Sequence, residues 1–233
     1  MQLKKKSQEM SKINWGVIGP GSIASAFAHS ISATKNSKLV GVFGRNLDRT
    51  NSFAHQFQID AYRNFIDFIS STEIDAVYIA TPHSEHFTYT LEAIKNGKHV
   101  LCEKPFTMNA YESMVLLDLA NLSNVFLMEA YMYRIHPQTK NILDNLDFIL
   151  DAKEKVLIEA SFGFKADVKE DHRLRNPDLG GGAILDIGCY PLTMSKLIAG
   201  HLQGLSFADP IYLSAQGTLD RTGVDLQSHA NLT

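Results

Sequence analysis

The 233-residue chain has 45% hydrophobic and 20% charged residues, a globular composition that excludes a disordered or fibrous protein. Its net charge of −3 at pH 7 gives no electrostatic basis for binding nucleic acid or a membrane surface. The two cysteines, Cys102 and Cys189, form no CxxC or Cys–His ligand spacing, so neither a disulfide framework nor a metal site is predicted.

The first dozen residues contain no apolar stretch of the kind that a secretory signal requires. The sequence also has no run near the roughly 18 apolar residues that a membrane span needs. We therefore expect a cytoplasmic protein without a membrane partner.

Short apolar runs alternate with helical patterns in the first half of the chain. Each run is continuously hydrophobic, as is typical of strands buried on both faces of a parallel sheet: 13–19, 38–44, 74–80, 98–103 and 124–129. Of the intervening helices, one should end at Gly97 and another should begin with the capping pair Asn109 and Glu112. This alternation predicts helices on both sides of the sheet.

The second half changes pattern. Apolar and polar residues alternate over 156–164, 211–219 and 224–233, which predicts strands with one apolar face in a largely antiparallel sheet. We therefore predict an α/β protein with a doubly wound, Rossmann-type sheet in residues 1–130. An α+β domain with an open antiparallel sheet should follow in residues 131–233.

A dinucleotide fingerprint follows the first predicted strand. Gly19 permits a tight turn, Gly21 lets the backbone approach a pyrophosphate, and Ala24 keeps the following helix close to the strand. The backbone amides of the first helical turn, at Ser22 and Ile23, would bind the anion. This context between a strand and a helix predicts nucleotide binding.

The end of the second predicted strand bears on the choice between NAD and NADP. NAD sites usually have Asp or Glu there, to accept a hydrogen bond from the ribose 2′-hydroxyl. This chain has Phe43-Gly44-Arg45-Asn46 instead, with Arg49 one helical turn later. Arginine suits a 2′-phosphate, so NADP is predicted; the alternatives are a surface arginine without a ligand and an NAD site.

Further motifs follow in order along the chain. They are Thr81-Pro82-His83-x-x-His86, Glu103-Lys104-Pro105 and Gly180-Gly181-Gly182-x-x-x-Asp186-x-Gly188-x-Tyr190. With the glycine loop, this ordered set resembles the glucose–fructose oxidoreductase/inositol dehydrogenase (Gfo/Idh/MocA) family. The stretch MEAYMYRIHPQ (128–138) is most similar to the branch of dimeric dihydrodiol dehydrogenases and NADP-dependent xylose dehydrogenases.

The resemblance implies an oxidoreductase that transfers hydride between a nicotinamide, placed beside Lys104 between the two domains, and a carbon of a sugar, polyol or vicinal diol. Tyr190 matches the position where inositol dehydrogenase relatives carry histidine, and we predict that it is the acid/base. A tyrosine ordinarily titrates near pH 10, and a cation such as Lys104 would favour its phenolate. Asp186 would orient Lys104 or the substrate hydroxyl. Pro191 and Gly188 should distort the helix that carries Asp186 and Tyr190.

The remaining site residues are predicted from the same motifs. We expect the following side chains in the cofactor pocket or capping a helix, and no metal between the histidines: Thr81, Pro82, His83, His86 and Glu103. Arg134 is a candidate substrate residue and could equally be buried polar structure. The alternatives for Tyr190 and Asp186 are a core aromatic residue and a simple ion-pair partner.

The chain departs from the family in two ways. Relatives are usually considerably longer, so we expect either a fragment that is incomplete at the C-terminus or a shortened form that associates as a homo-oligomer through its open sheet face. Gly44 stands where many NADP-using relatives have serine. An NAD-dependent polyol dehydrogenase, a non-catalytic nucleotide-binding sensor and an inactive fragment remain the alternative functions.

Overall fold

A computed structural model describes residues 12–149 and 155–233 of the chain. The N-terminal residues on which the localisation prediction rests lie outside these ranges. Among the described residues, no helix combines the length and apolar composition that crossing a membrane requires.

The chain divides into two compact units. The N-terminal unit comprises the described residues up to 81, together with 85–103 and 109–129. The C-terminal unit comprises 82–84, 104–108 and the described residues from 130 onward. Two short segments of the first half, which contain His83 and Lys104, thus pack with the second half of the chain.

The N-terminal unit is a six-stranded parallel sheet in the order β3-β2-β1-β4-β5-β6. Its strands are β1 (Ile13–Ile18), β2 (Ser37–Phe43), β3 (Asp60–Tyr62), β4 (Ala76–Ile79), β5 (His99–Cys102) and β6 (Leu127–Glu129). Its helices are α1 (Ser22–Ser32), α2 (Leu47–Phe57), α3 (Phe65–Ser70), α4 (His83–Lys95) and α5 (Ala110–Ser123). This strand order is that of the dinucleotide-binding fold, which confirms the predicted Rossmann-type sheet.

The two predicted helix boundaries are confirmed. Helix α4 ends before Gly97, whose amide donates to the Ile94 carbonyl at 2.9 Å. Helix α5 begins after Asn109, whose side chain accepts from the Glu112 amide at 3.0 Å. Local capping chemistry therefore fixes both ends.

The C-terminal unit contains helices and one hairpin. Its elements are a 3₁₀ turn (Met132–Ile135), α6 (Pro137–Ile149), a 3₁₀ turn (Pro177–Leu179), a π-helical turn (Ile184–Gly188), α7 (Cys189–Leu202), β7 (Leu213–Leu219) and β8 (Asp225–Leu232). Strands β7 and β8 pair antiparallel, as predicted.

The prediction of a third strand at 156–164 is wrong. This segment has no regular secondary structure, and Leu157, Phe162 and Phe164 are 81%, 54% and 55% exposed. A strand needs a neighbour to satisfy its backbone hydrogen bonds. Among the described residues, β7 and β8 pair only with each other, so the apolar alternation alone does not make a strand.

A bidentate ion pair ties the hairpin turn to the loop before the glycine run. Arg175 donates from Nε and Nη2 to the two carboxylate oxygens of Asp220, at 2.5 and 2.9 Å. The Arg221 amide and the Thr222 hydroxyl also donate to this carboxylate. The hydrogen bonds from Arg175, the largest cause, hold the pKa of Asp220 at about 2.

This low pKa predicts how the stability contributed by Asp220 depends on pH. Because the folded-state pKa is below the unfolded value of about 3.9, the contribution is fully present above pH 4 and is lost as the pH falls toward 2. We expect Asp220→Asn to lower Tm by a constant amount between pH 5 and 7 and by progressively less below pH 4. Thermal melts at each pH measure the difference.

The matched control is Asp209→Asn. Asp209 pairs with Lys196 at 2.6 Å, but its side chain is 88% exposed. This exposed pair should add little to stability, so its Tm difference should be small throughout. A Tm difference for Asp220→Asn that persists unchanged at pH 3 would contradict the prediction.

Candidate functional site

The glycine loop after β1 makes a tight turn and leaves open space before α1. Gly19 has a φ of +94°, and a Cβ there would lie 2.8 Å from the Ala80 carbonyl oxygen. Gly21 precedes α1 without a side-chain cap, and a Cβ on it would meet nothing within 4 Å. Ala24 is fully buried. The uncapped N-terminus of α1, which begins with Ser22 and Ile23, therefore has open space at Gly21 for an anionic group.

An unpaired hydroxyl lies beside the same loop. Thr81 Oγ1 is buried and has no hydrogen-bond partner among the described residues. A Cβ on Gly19 would lie 2.9 Å from Thr81 Cγ2, so the two residues are in close contact. Because a buried polar atom without a partner costs free energy, this hydroxyl fits a polar group supplied by a ligand. The open space at Gly21 and the Thr81 hydroxyl together fit a dinucleotide.

Gly44 at the end of β2 is explained by its neighbours. A Cβ on Gly44 would lie 2.5 Å from Pro20 Cδ and 2.8 Å from Thr50 Oγ1. A serine at position 44 would therefore collide with the rigid ring of Pro20, which stands inside the glycine loop. The absence of a side chain at Gly44 thus leaves room for Pro20 and Thr50.

The two predicted phosphate-binding arginines are both exposed. Arg45 follows β2, and its side chain is 71% exposed; its Nη1 lies 2.6 Å from Glu85 Oε1. Arg49 lies in the first turn of α2, where its amide donates to the Asn46 side chain at 3.0 Å. Glu85 was not predicted from the sequence, because its position in α4 is far along the chain from Arg45.

The motif residues after β4 and β5 hold local structure. His86 is fully buried, and its Nε2 bonds to the Thr81 carbonyl at 3.0 Å. His83 Nδ1 bonds to the Gly180 carbonyl at 2.8 Å, within the C-terminal unit. Pro82 immediately precedes α4. Glu103 accepts a hydrogen bond from the Tyr78 hydroxyl. Cofactor contacts by these four residues stay predictions.

The three predicted proton-transfer residues come together in the C-terminal unit. Lys104 Nζ donates to the main-chain carbonyl of Asp186 and lies 3.5 Å from its Oδ1. The same Nζ lies 5.2 Å from the centroid of the Tyr190 ring. The Lys104 and Asp186 side chains are 15% and 10% exposed. The ammonium group is therefore held between a carboxylate and a phenol, with little access to water.

A second cation completes this cluster. Arg173 Nη1 lies 3.1 Å from the Asp186 oxygen that also faces Lys104. Two positive charges thus share one carboxylate. The sequence did not indicate Arg173, because a lone arginine in an irregular loop carries no pattern.

The π-helical turn and Pro191 explain why the Asp186 carbonyl can bind Lys104. The Cys189 amide donates to the Ile184 carbonyl, five residues back, instead of four as in an α-helix. In that register the donor to the Asp186 carbonyl would be residue 191, and proline has no amide hydrogen. The carbonyl is thereby left for Lys104 Nζ. The predicted distortion of this helix is confirmed.

Aromatic side chains surround Tyr190. Its ring makes edge contacts with Tyr131 and Phe162 at centroid distances of 5.6 and 5.7 Å, and Tyr133 lies at 6.2 Å. The Tyr133 hydroxyl donates to Thr193 Oγ1 at 2.8 Å, which fixes its ring. These rings hold Tyr190 in place. Their positions were not predicted, because only the fold brings these segments together.

Arg134, the candidate substrate residue, stacks on a different side chain. Its guanidinium carbon lies 4.3 Å from the centroid of the Phe207 ring. The residue is exposed, not part of a buried polar cluster. Its role toward a substrate stays a prediction.

The glycine run before the π-helical turn packs against protein. A Cβ on Gly180 would lie 2.7 Å from His83 Cβ. Gly182 has a φ of +113°, and a Cβ there would lie 2.3 Å from Asp225 Oδ1. Asp225 in turn accepts from the Ile184 amide at 2.8 Å, at the first residue of the π-helical turn. The absence of side chains at Gly180 and Gly182 thus positions the segment that carries Asp186.

Comparison with protein-family models agrees with this geometry. Residues 13–131 match the model described as an oxidoreductase family with an NAD-binding Rossmann fold. The chain belongs to the Gfo/Idh/MocA oxidoreductase family. The resemblance inferred from the ordered motifs is thereby confirmed.

Two curated members of the Gfo/Idh/MocA family illustrate the similarity. The chain is 33% identical over 216 residues to trans-1,2-dihydrobenzene-1,2-diol dehydrogenase of Xenopus tropicalis, covering 91% of this chain and 62% of that protein. It is 29% identical over 239 residues to D-xylose 1-dehydrogenase (NADP(+)) of Hypocrea jecorina, covering 91% and 60%. The chain therefore spans somewhat over half the length of the curated relatives it matches.

A solved structure of a further relative has the same fold. A 3-ketoreductase from Actinomadura kijaniata, crystallised with NADP and TDP-benzene, superposes with a TM-score of 0.82 at 29% identity. The match covers 96% of this chain and 66% of that protein.

Proposed function

We propose that this Gfo/Idh/MocA chain binds NADP(H) and belongs to an oxidoreductase that transfers hydride between the nicotinamide and the oxygen-bearing carbon of a sugar, polyol or vicinal diol. The observation that carries the proposal is the cluster of Lys104, Asp186 and Tyr190. The relatives named for a diol, a pentose and a ketone reaction support the substrate class.

The cluster has the parts that proton transfer needs. The nicotinamide would supply the hydride acceptor or donor. Tyr190 would take the hydroxyl proton during oxidation and return it during reduction. The Lys104 ammonium, 5.2 Å from the ring centroid, favours the ionised phenol because an adjacent positive charge stabilises the phenolate.

Asp186 positions Lys104 for this role. Both the main-chain carbonyl and the carboxylate of Asp186 face the ammonium group, so the flexible lysine side chain is held at two points. Arg173 pairs with the same carboxylate oxygen, so this carboxylate is shared between two cations. These contacts orient the acid/base pair before a substrate arrives.

Three of the groups that would hold the dinucleotide, the glycine loop, Thr81 and Arg45, lie in the N-terminal unit. The amides at the start of α1 and the Thr81 hydroxyl would contact its polar groups. Arg45 would contact the 2′-phosphate through charge-assisted hydrogen bonds.

The predicted homo-oligomer is supported by three exposed leucines on β7 and β8, Leu213, Leu219 and Leu226. Light scattering of the purified chain measures its oligomeric state.

Arg45→Gln tests the nucleotide assignment. Because the guanidinium would pair with a phosphate that NADH lacks, we expect NADPH affinity to fall about tenfold or more and NADH affinity to change less than about twofold. Titrations followed by nicotinamide fluorescence measure both constants. Arg63→Gln, at another exposed arginine of the same unit, is the matched control.

Two of the alternative functions give different results in this experiment. An NAD-dependent polyol dehydrogenase would bind NADPH equally well with or without Arg45. A sensor would bind NADPH with the predicted dependence on Arg45 but would not turn over any sugar, polyol or diol. The proposal is supported if Arg45→Gln loses NADPH binding and the unsubstituted chain turns over one of these substrates, even slowly.

A further inference from the structure

The partner of Arg45 is a carboxylate that the chain brings from a separate helix. Glu85 lies in the first turn of α4, and its Oε1 is 2.6 Å from Arg45 Nη1. The Glu85 side chain is 17% exposed, whereas that of Arg45 is 71% exposed. The carboxylate is thus held by its surroundings, and the arginine reaches to it from the end of β2.

The surroundings of Glu85 are partly apolar and favour a fixed position. Burial, the larger cause, raises the pKa of Glu85, and the Arg45 guanidinium lowers it in part. Tyr89, one helical turn later, has its pKa raised by burial and by the Glu85 charge. The Tyr89 ring packs on Phe65 at a centroid distance of 5.1 Å. The carboxylate therefore lies beside a packed aromatic group.

The pair has two consequences for a bound ribose. First, the negative charge of Glu85 offsets the positive charge that Arg45 presents to a 2′-phosphate. Second, the ion pair with Arg45 uses Glu85 Oε1, and among the described residues Oε2 is left to accept a further hydrogen bond. An acceptor of this kind is what the 2′-hydroxyl of NAD(H) requires.

The end of β2 itself offers no such acceptor. The strand ends at Phe43 and is followed by Gly44, Arg45 and Asn46, and the Asn46 side-chain oxygen already accepts from the Arg49 amide as the cap of α2. The carboxylate that is absent from this position in the sequence is therefore replaced in space by Glu85.

We propose that Glu85 determines the nucleotide preference of this chain by weakening the attraction of Arg45 for the 2′-phosphate and by accepting a hydrogen bond from the 2′-hydroxyl of NAD(H). The inference rests on the proposed function, in which Arg45 contacts the adenosine ribose. The unsubstituted chain then binds both nucleotides with a modest preference for NADPH.

Glu85→Gln tests this role, because glutamine keeps the shape of the side chain and removes its charge. We expect NADPH affinity to increase about three- to tenfold at low ionic strength, since one repulsive charge near the phosphate is removed. NADH affinity falls, because a neutral amide oxygen is a weaker acceptor for the 2′-hydroxyl than a carboxylate, so the ratio of the Kd for NADH to the Kd for NADPH rises. Raising the salt concentration reduces the gain for NADPH.

Glu92→Gln is the matched control. Glu92 lies on the same helix and pairs with Lys95 at 2.8 Å on an exposed surface. The Glu92→Gln substitution removes the same net charge without affecting a contact of Arg45, so the preference for NADPH over NADH should stay as in the unsubstituted chain. A thermal melt of each variant shows whether the fold is retained.

The outcomes separate this inference from the proposed function. If Arg45→Gln weakens NADPH binding while Glu85→Gln leaves the preference unchanged or lowers it, the role of Glu85 is overturned and the nucleotide assignment stands. If Arg45→Gln has no effect on NADPH, both are overturned. An equal increase in NADPH affinity for Glu85→Gln and Glu92→Gln would show a general charge effect and would also overturn the inference.

Discussion

Replacing Tyr190 with phenylalanine is expected to lower turnover of a sugar, polyol or diol substrate by about 100- to 10,000-fold, the usual contribution of a general acid/base. The substitution removes only the hydroxyl and keeps the ring that contacts Tyr131 and Phe162. Affinity for NADPH should therefore change little. Steady-state kinetics at saturating NADPH, together with a fluorescence titration, measures the two effects separately.

Tyr111→Phe is the control for this substitution. Tyr111 is 72% exposed near the start of α5, so removal of its hydroxyl should leave turnover within about twofold of the unsubstituted protein. Turnover by Tyr190→Phe above about a tenth of the original rate would contradict the acid/base role. It would favour the alternative interpretation of Tyr190 as a core aromatic residue.

Substituting Gly182 with alanine is expected to lower the free energy of unfolding by about 2–4 kcal/mol. A positive φ is costly for any residue with a Cβ, and here the Cβ would also lie 2.3 Å from Asp225 Oδ1. Moving Asp225 aside would break its bond to the Ile184 amide, so the start of the π-helical turn would lose its partner. Urea denaturation monitored by far-UV circular dichroism measures the change.

Gly223→Ala separates the two causes. Gly223 also has a positive φ, +89°, but a Cβ there would meet nothing within 4 Å. We expect a loss of about 1–2 kcal/mol for this variant, because only the backbone conformation is unfavourable. Equal losses in the two variants would mean that the contact with Asp225 adds nothing.

The parallel sheet was predictable because its signals are local. A continuously apolar run predicts a buried strand by itself, and the glycine loop is contiguous with β1. The sequence missed β3 and α3, because β3 is only three residues long and begins with an exposed Asp60. An edge strand of this length has neither the hydrophobicity nor the periodicity on which such predictions depend.

The antiparallel strands were predicted less well, because their formation depends on a partner strand that the local pattern does not reveal. Residues 156–164 alternate as clearly as β7 and β8, but a strand forms only where another strand pairs with it. Alternation shows only that a segment has one apolar face. Whether a partner strand lies beside it is decided by the tertiary fold. The prediction of β7 and β8 was correct because the two strands are close in sequence and pair with each other.

The candidate site likewise contains residues that sequence motifs predicted and residues that only the fold brings together. Lys104, Asp186 and Tyr190 were predicted from motifs, and the distortion of the helix that carries Asp186 and Tyr190 was predicted from Pro191 and Gly188. The second cation, Arg173, could not be predicted, because an ion pair between a loop and a helix leaves no trace in spacing. Glu85 escaped prediction for the same reason.

The π-helical turn also limits how this segment can change length. A hydrogen-bonded ring that spans five residues contains one residue more than the corresponding α-helical ring, so the turn is equivalent to a one-residue insertion. Removing one residue of this turn other than Asp186 would take away that extra residue, and each residue of an α-helix turns the chain by about 100°. Tyr190 would then be rotated relative to the segment before the turn, although Lys104, Asp186 and Tyr190 would all still be present. A deletion within the turn is therefore expected to separate the Tyr190 ring from the Lys104 ammonium group.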